Sequence, residues 1–235
     1  MRLPREWIEE DWSEQQKALS RLLDAFSDTP AAETRSGRRQ LRLFACGCCR
    51  LIWQHLHDPL LRRAIEVSER YADVKATGEE LMAAREAAAS TNPRNPLLYS
   101  EEDPHAQANT LVALVVEAAG RTAIRAAYGM RGYPLALAGY RGSESEAYGL
   151  MCEVFRDIFG NTFRPVAFDP AWRTSDAVAL ARAMYDSRDF GAMPILADAL
   201  QDAGCDSADV LTHCRDANQV HVRGCWVCDL VLGKE

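Results

Sequence analysis

The last thirty residues of the chain hold the side chains with the clearest capacity for chemistry. Thiolates and imidazoles are the ligands that zinc prefers, and a structural zinc site needs four of them in tetrahedral geometry. Cys225 and Cys228 have the two-residue gap of a zinc knuckle. Which pair would complete the site stays open: His213 or Cys214, with Cys205 or His221. The candidate ligands are Cys205, His213, Cys214, His221 and Cys225, with Cys48, Cys49 and Cys228 as additional candidates.

The same cysteines have a simpler interpretation as buried apolar residues, and we favour it over zinc. Free cysteine packs like a small hydrophobe. Around the CxxC pair, Trp226, Val227 and Leu230 are typical of a buried helix rather than of a zinc knuckle. A redox role for Cys225 and Cys228 is a third alternative, but the pair lacks the βαβ context that makes such a motif specific.

Catalytic motifs are absent from the sequence, which contains no HExxH, GxSxG, Walker loop or dinucleotide fingerprint. Cys214 and His213 cannot act as a nucleophile and its base, because adjacent residues on a helix point about 100° apart. A groove around the stretch FRPVAFDPAW, with Arg164, Asp169 and nearby histidines as its polar groups, is the remaining candidate for an enzyme of unknown reaction class. An enzyme is therefore the least favoured interpretation, and no catalytic residue is assigned.

The segment Arg38–Leu56 is predicted to form the central core helix. Apolar residues recur in it at steps of three and four, which indicates one buried helical face. These residues are Leu41, Phe44, Cys48, Ile52 and Leu56. Cys46 and Cys49 flank that face, so burial explains the three cysteines of this segment. A metal site here would need ligands from elsewhere, because one helical turn cannot supply a tetrahedral set.

Four arginines crowd the start of this helix, where the helix dipole disfavours positive charge. They are Arg35, Arg38, Arg39 and Arg42. The chain has a net charge of −7, so we expect acidic groups of the same molecule to compensate them. A phosphate or a partner protein is the less favoured alternative.

The remaining chain is rich in helical patterns, and the predicted fold class is all-α. Thr77 and Glu80 have the spacing of a capping box before an alanine-rich helix. Pro104 to Tyr128 is predicted to be one long helix: LVALVV alone is also compatible with a strand, but length and flanking alanines favour the helix. We predict a single irregular multi-helix domain over 1–235, with the C-terminal helices wrapped around the central one. It could be subdivided into N-terminal helices (1–92), a long helix with a glycine-rich loop (93–142) and C-terminal helices (143–235).

Composition narrows the class of protein. Of the 235 residues, 48% are hydrophobic and 26% are charged, which is ordinary for a globular protein. The acidic balance argues against general nucleic-acid binding, since phosphate contacts need a basic face. No signal-peptide core and no membrane-length apolar run are present. We therefore expect a cytoplasmic protein without a membrane partner, whose eight cysteines are reduced.

Several phrases in the sequence resemble one protein family. They are LRLFACGCCRLIW, IFGNTFRPVAFDPAW, PILADALQDAGCDSADVLTHCR and HVRGCWVCDLVLGKE. They are similar to a large family of uncharacterised paralogous proteins of planctomycetes, for which no activity is established. The resemblance implies a protein-binding role, since members occur beside repeat and interaction modules. In that family the position of Cys228 is commonly aliphatic and that of Cys46 varies, which weakens the CxxC zinc and CxxC redox interpretations.

These observations rank three functions. The first is a protein-interaction or structural module, whose partner would be another protein. The second is a domain with a structural zinc held by cysteines and histidines near the C-terminus. The third is the enzyme of unknown reaction class.

Overall fold

The computed structural model describes residues 12–91, 115–120, 122–130, 144–160, 166–216 and 218–234. Every regular element within these ranges is a helix, so the all-α prediction is confirmed. The chain divides into two compact units, Leu3–Cys152 and Glu153–Glu235. The single domain over 1–235 and the wrapping of the central helix by the C-terminal helices stay predictions. No helix in the described ranges has both the length and the apolar character needed to cross a lipid bilayer.

The unit Leu3–Cys152 is built on five α-helices of the described ranges. They are α1 (Trp12–Ser27), α2 (Arg35–Arg50), α3 (Pro59–Ala72), α4 (Gly78–Ser90) and α5 (Ala123–Gly129). Helix α2 packs against both α3 and α5, and α3 packs against α4. The predicted capping box of Thr77 and Glu80 is confirmed at the start of α4. Short 3-10 helices cover Pro30–Glu33 and Trp53–His55.

Helix α2 is the core helix that the apolar pattern predicts, but its bounds differ from Arg38–Leu56. The five residues of the predicted apolar face are at most 1% exposed. The helix begins at Arg35, because the side chain of Thr34 caps it by accepting from the Gly37 N–H. It ends at Arg50, and the following 3-10 turn places the ring of Trp53 3.7 Å from the Arg50 guanidinium carbon. Ile52 and Leu56, on either side of this turn, are still fully buried, so the apolar face continues past the end of the helix.

The predicted acidic compensation at the start of α2 is confirmed for two of the four arginines. Arg39 Nε lies 2.9 Å from Oδ1 of Asp73, whose side chain is fully buried. Arg38 donates to the carbonyl of Glu33, and the carboxylate of Glu33 lies 3.9 Å from its guanidinium. Compensation therefore comes from neighbouring segments of the same unit.

The long helix predicted from Pro104 to Tyr128 is wrong as a continuous element. Residues 104–114 lie outside the described ranges, and the helical residues 115–118 end in a turn. The amide of Gly120 donates to the carbonyl of Glu117 three residues back, and Thr122 has an extended backbone before α5 begins. Arg42 Nη1 donates to the Gly120 carbonyl at 2.8 Å, which fixes the break. Within the described ranges, the predicted helix is thus interrupted between the helical residues 115–118 and α5.

Val74, just after α3, has a φ of +60° and a side chain that is 64% exposed. A β-branched residue is strained in this left-handed region, and asparagine adopts it more readily. We expect Val74→Asn to raise the free energy of unfolding by about 1 kcal/mol, measured by urea denaturation. Ile124→Asn, the same type of change in α5, serves as the control and should not stabilise. A lower unfolding midpoint for Val74→Asn would contradict the strain at this position.

The unit Glu153–Glu235 contains the end of α6 (Glu144–Phe159) and four further helices. They are α7 (Ser175–Ser187), α8 (Met193–Asp202), α9 (Ala208–Arg215) and α10 (Trp226–Leu232). A 3-10 helix covers Pro170–Trp172. Helices α7 to α10 share one apolar core. That core brings the end of α9 and the start of α10 close together.

Candidate metal centre

Three segments of the unit Glu153–Glu235 supply the polar groups of the candidate site. Asp157 lies in the last turn of α6, and His213 lies in the last turn of α9. Cys225 is the N-cap residue of α10. His221 lies four residues before Cys225, in the connection from α9. Two helix ends and a helix start therefore meet at one point.

A tight turn brings His221 and Cys225 to the same side of the chain. The N–H of Cys225 donates to the carbonyl of Val222 at 3.0 Å. Gly224, inside the turn, has a φ of +99°, a conformation that favours glycine. The sequence HVRGC thus positions an imidazole and a thiol through its glycine.

The ligand atoms of Asp157, His213, His221 and Cys225 all lie within 4.8 Å of one another. Oδ1 of Asp157 is 3.2 Å from Nε2 of His213 and 2.8 Å from Nδ1 of His221. Sγ of Cys225 is 3.2 Å from the same His213 nitrogen and 3.9 Å from the same His221 nitrogen. Four ligands around one zinc ion would place their atoms about 3.3–3.8 Å apart, given the usual zinc–ligand lengths. The spacing in the structure is close to that arrangement.

The choice of nitrogen distinguishes a metal centre from a catalytic relay. In a relay, imidazole contacts the nucleophile through one nitrogen and the orienting carboxylate through the other. Here Nε2 of His213 faces both Cys225 and Asp157, and Nδ1 of His221 does the same. Each imidazole therefore directs a single nitrogen toward the centre of the group, as a metal ligand does.

The second carboxylate oxygen of Asp157 is held by the backbone. The N–H of Val222 donates to Oδ2 of Asp157 at 2.8 Å, while Oδ1 faces the two imidazoles. This bond orients the carboxylate so that one oxygen is directed at the centre. Hydrogen bonds of this kind around a metal centre fix the ligands and tune their basicity.

Burial and mutual contact shift the pKa values of the group. Burial lowers the pKa of both imidazoles, but Cys225 and Asp157 outweigh it and raise the pKa of His213 to about 9 and that of His221 to about 10. Burial raises the pKa of Asp157, but hydrogen bonds with both imidazoles hold it below its ordinary value. Burial raises the pKa of the Cys225 thiol well above its ordinary value. In the absence of a metal ion, these shifts favour positively charged imidazoles beside a negatively charged carboxylate.

Aromatic rings enclose the site. The ring centroid of His213 is 5.1 Å from that of Trp226, and the centroid of His221 is 6.2 Å from that of Phe190. The side chains of Asp157, His213 and His221 are 0%, 10% and 8% exposed, and Cys225 is fully buried. Water therefore has little access to the four ligand atoms.

The structure brings together three of the five predicted ligands and leaves two outside the group. His213, His221 and Cys225 converge, whereas Cys205 and Cys214 are packed in the apolar core of the same unit. Cys228 also belongs to that core, and its Sγ lies 3.7 Å from the sulfur of Met193. The CxxC pair thus places only its first cysteine in the group, because the second lies one helical turn along α10.

The group does not include the other described residues that the sequence analysis singled out. Cys48 and Cys49 are buried in α2 of the unit Leu3–Cys152, where burial raises the pKa of both thiols. Asp169, expected in an enzyme groove, accepts from the Ala171 N–H and so caps the 3-10 helix Pro170–Trp172. Arg164, its predicted companion, lies outside the described residues.

Asp157 is the member of the candidate group that the sequence analysis missed. It lies three residues after Val154 and directly before Ile158, both fully buried, so a carboxylate interrupts the apolar face of α6. A charged residue on such a face needs a partner when buried. This interruption is the signal that could have identified Asp157.

Comparisons with known proteins leave the geometry as the basis for assigning a function. No protein-family model, curated protein or solved structure matches this chain.

Proposed function

We propose that the unit Glu153–Glu235 is a zinc-binding domain in which one ion stabilises the fold. Asp157, His213, His221 and Cys225 are its ligands. The observation that carries the proposal is the convergence of one nitrogen of each imidazole with a carboxylate oxygen and a sulfur. One sulfur, two nitrogens and one oxygen are a ligand set that suits zinc.

A structural role fits better than a catalytic one because the protein provides four ligands. A catalytic zinc keeps one coordination position for water or substrate, whereas structural sites are closed. The ligands lie on α6, α9, α10 and the connection between the last two. The ion would therefore join segments that are far apart in the chain, as a disulfide does in a secreted domain.

Metal analysis of the full chain tests the proposal. We expect one zinc ion per chain after purification without a metal-affinity step, and none after Cys225→Ser or Asp157→Asn. Cobalt(II) added to the zinc-free protein should give the absorption of tetrahedral thiolate-bound cobalt. That absorption should be lost in Cys225→Ser.

Cys214→Ser is the matched control, because Cys214 is a buried thiol beside His213 that lies outside the four ligands. It should keep one zinc ion and the cobalt spectrum. Wild-type protein that neither contains zinc nor takes up cobalt would overturn the proposal. So would metal binding that depends on Cys214 instead of Cys225.

A further inference from the structure

The unit Leu3–Cys152 contains a cavity of about 650 Å³, and none of its lining residues belongs to the candidate metal centre. Its walls come from the 3-10 helix Pro30–Glu33, the first turns of α2, the end of α3 with the turn that follows, and the start of α5. Pockets for small molecules have volumes of roughly 300–1,000 Å³. The cavity is therefore of a size that suits a small molecule.

One wall of the cavity is strongly cationic. Arg35, Arg38, Arg39 and Arg42 all line it, against the single carboxylate of Glu33. Three of these arginines have contacts of their own: Arg38 with the carbonyl and carboxylate of Glu33, Arg39 with Asp73, and Arg42 with the Gly120 carbonyl and the ring of Tyr71. Arg35 and Arg38 are exposed at the surface. The wall thus combines preorganised and adaptable guanidinium groups.

The cavity also has an apolar wall, which includes exposed aliphatic side chains. Tyr71, Val74 and Ile124 line the cavity. Val74 is 64% exposed and Ile124 is 39% exposed, although both are large apolar residues. Val74 also has the left-handed backbone that strains a β-branched residue. Aliphatic surface beside a cationic wall suits a ligand with an apolar body.

We propose that this cavity binds a small phosphate ester that carries an apolar or aromatic body. Guanidinium groups bind phosphate oxygens in a bidentate geometry, and the four arginines exceed in charge the carboxylates of Glu33 and Asp73 that contact Arg38 and Arg39, which favours an anionic ligand. The apolar wall takes the organic part of the ester. The phosphate ester could be a soluble molecule or a lipid headgroup, and the two share this chemistry.

The probe that tests the proposal is 1-naphthyl phosphate, titrated into the full chain and followed by calorimetry. We expect saturable binding of one molecule per chain, at least tenfold tighter than for 1-naphthol or for inorganic phosphate, each of which offers half of the recognised chemistry. Arg35→Ala/Arg38→Ala should weaken binding about tenfold or more, because both guanidinium groups are lost. Arg63→Ala, which removes an exposed arginine of α3 outside the cavity, should leave binding unchanged.

Val74→Asn keeps the arginines and changes the apolar wall. It should weaken the binding of 1-naphthyl phosphate and leave the binding of inorganic phosphate unchanged. The proposal is overturned if naphthyl phosphate binds no more tightly than naphthol, or if the double arginine variant binds as Arg63→Ala does.

Vesicles distinguish the two sources of the phosphate ester. If the cavity binds a lipid headgroup, the protein should sediment with phosphatidic acid vesicles but not with phosphatidylcholine vesicles. Arg35→Ala/Arg38→Ala should abolish this sedimentation. Binding of free naphthyl phosphate without sedimentation would assign it to a soluble ester. Absence of both would overturn the proposal.

Discussion

Removal of the proposed zinc ion is expected to unfold the unit Glu153–Glu235 at temperatures where the zinc-loaded protein is folded. Without the ion, a fully buried carboxylate and thiol would lose the cation that joins them. Structural zinc ions contribute about 10–16 kcal/mol of apparent binding free energy in small domains. We expect a loss of at least about 5 kcal/mol, which lowers the Tm by about 20 °C or more for a unit of this size.

Calorimetry with and without a chelator measures this loss, and hydrogen exchange locates it. Amides of α9 and α10 should exchange faster in the metal-free protein, and zinc added back should restore their protection. Cys225→Ser should already have the lower Tm and should not respond to the chelator, whereas Cys214→Ser should respond as the wild type does. An unchanged Tm and unchanged exchange after complete metal removal would show that the ion does not stabilise the fold.

Local signals in the sequence predicted much of the unit Leu3–Cys152. The apolar spacing in α2 identified its buried face, and the capping box of Thr77 and Glu80 identified the start of α4. The end of α2 could not be predicted, because its last residue, Arg50, is held by the carboxylate of Glu69 in α3, 19 residues later in the chain. The break at Gly120 is similar, since the carbonyl there is held by Arg42, 78 residues earlier in the chain.

The candidate site was only partly predictable, since its ligands meet through tertiary structure. The density of cysteine and histidine near the C-terminus indicated His213, His221 and Cys225. It could not separate them from Cys205 and Cys214, which belong to the same short stretch but are packed in the apolar core. The separation depends on which side of α9 faces Asp157, and adjacent residues such as His213 and Cys214 point in different directions.

The predicted burial describes all eight cysteines, and one of them, Cys225, also belongs to the candidate metal centre. All eight cysteines are buried and none forms a disulfide. Cys225 differs from the others in its neighbours, because two imidazoles and a carboxylate surround it. Burial alone therefore does not distinguish a packed thiol from a metal ligand, and the number of other ligand groups around the sulfur does.

The largest effect that we expect in the unit Leu3–Cys152 comes from Gly37→Ala. A Cβ at Gly37 would lie 2.1 Å from the carbonyl oxygen of Ala31 and 2.9 Å from two further backbone atoms of the adjacent 3-10 helix. That carbonyl accepts from the hydroxyl of Thr34, whose oxygen in turn accepts from the Gly37 N–H. The clash would therefore also disrupt the N-cap of α2. Overpacking and cap loss together should cost about 3 kcal/mol.

Gly78→Ala is the matched control for Gly37→Ala, because a Cβ at this glycine of α4 would meet nothing within 4 Å. Alanine is the better helix former, so Gly78→Ala should be neutral or stabilise by up to about 1 kcal/mol. Urea denaturation followed by circular dichroism compares the two variants. Zinc content should stay at one ion per chain in folded Gly37→Ala, since all four proposed ligands lie in the unit Glu153–Glu235. Equal stability of the two variants would mean that the 3-10 helix Pro30–Glu33 does not approach α2 as closely as the structure places it.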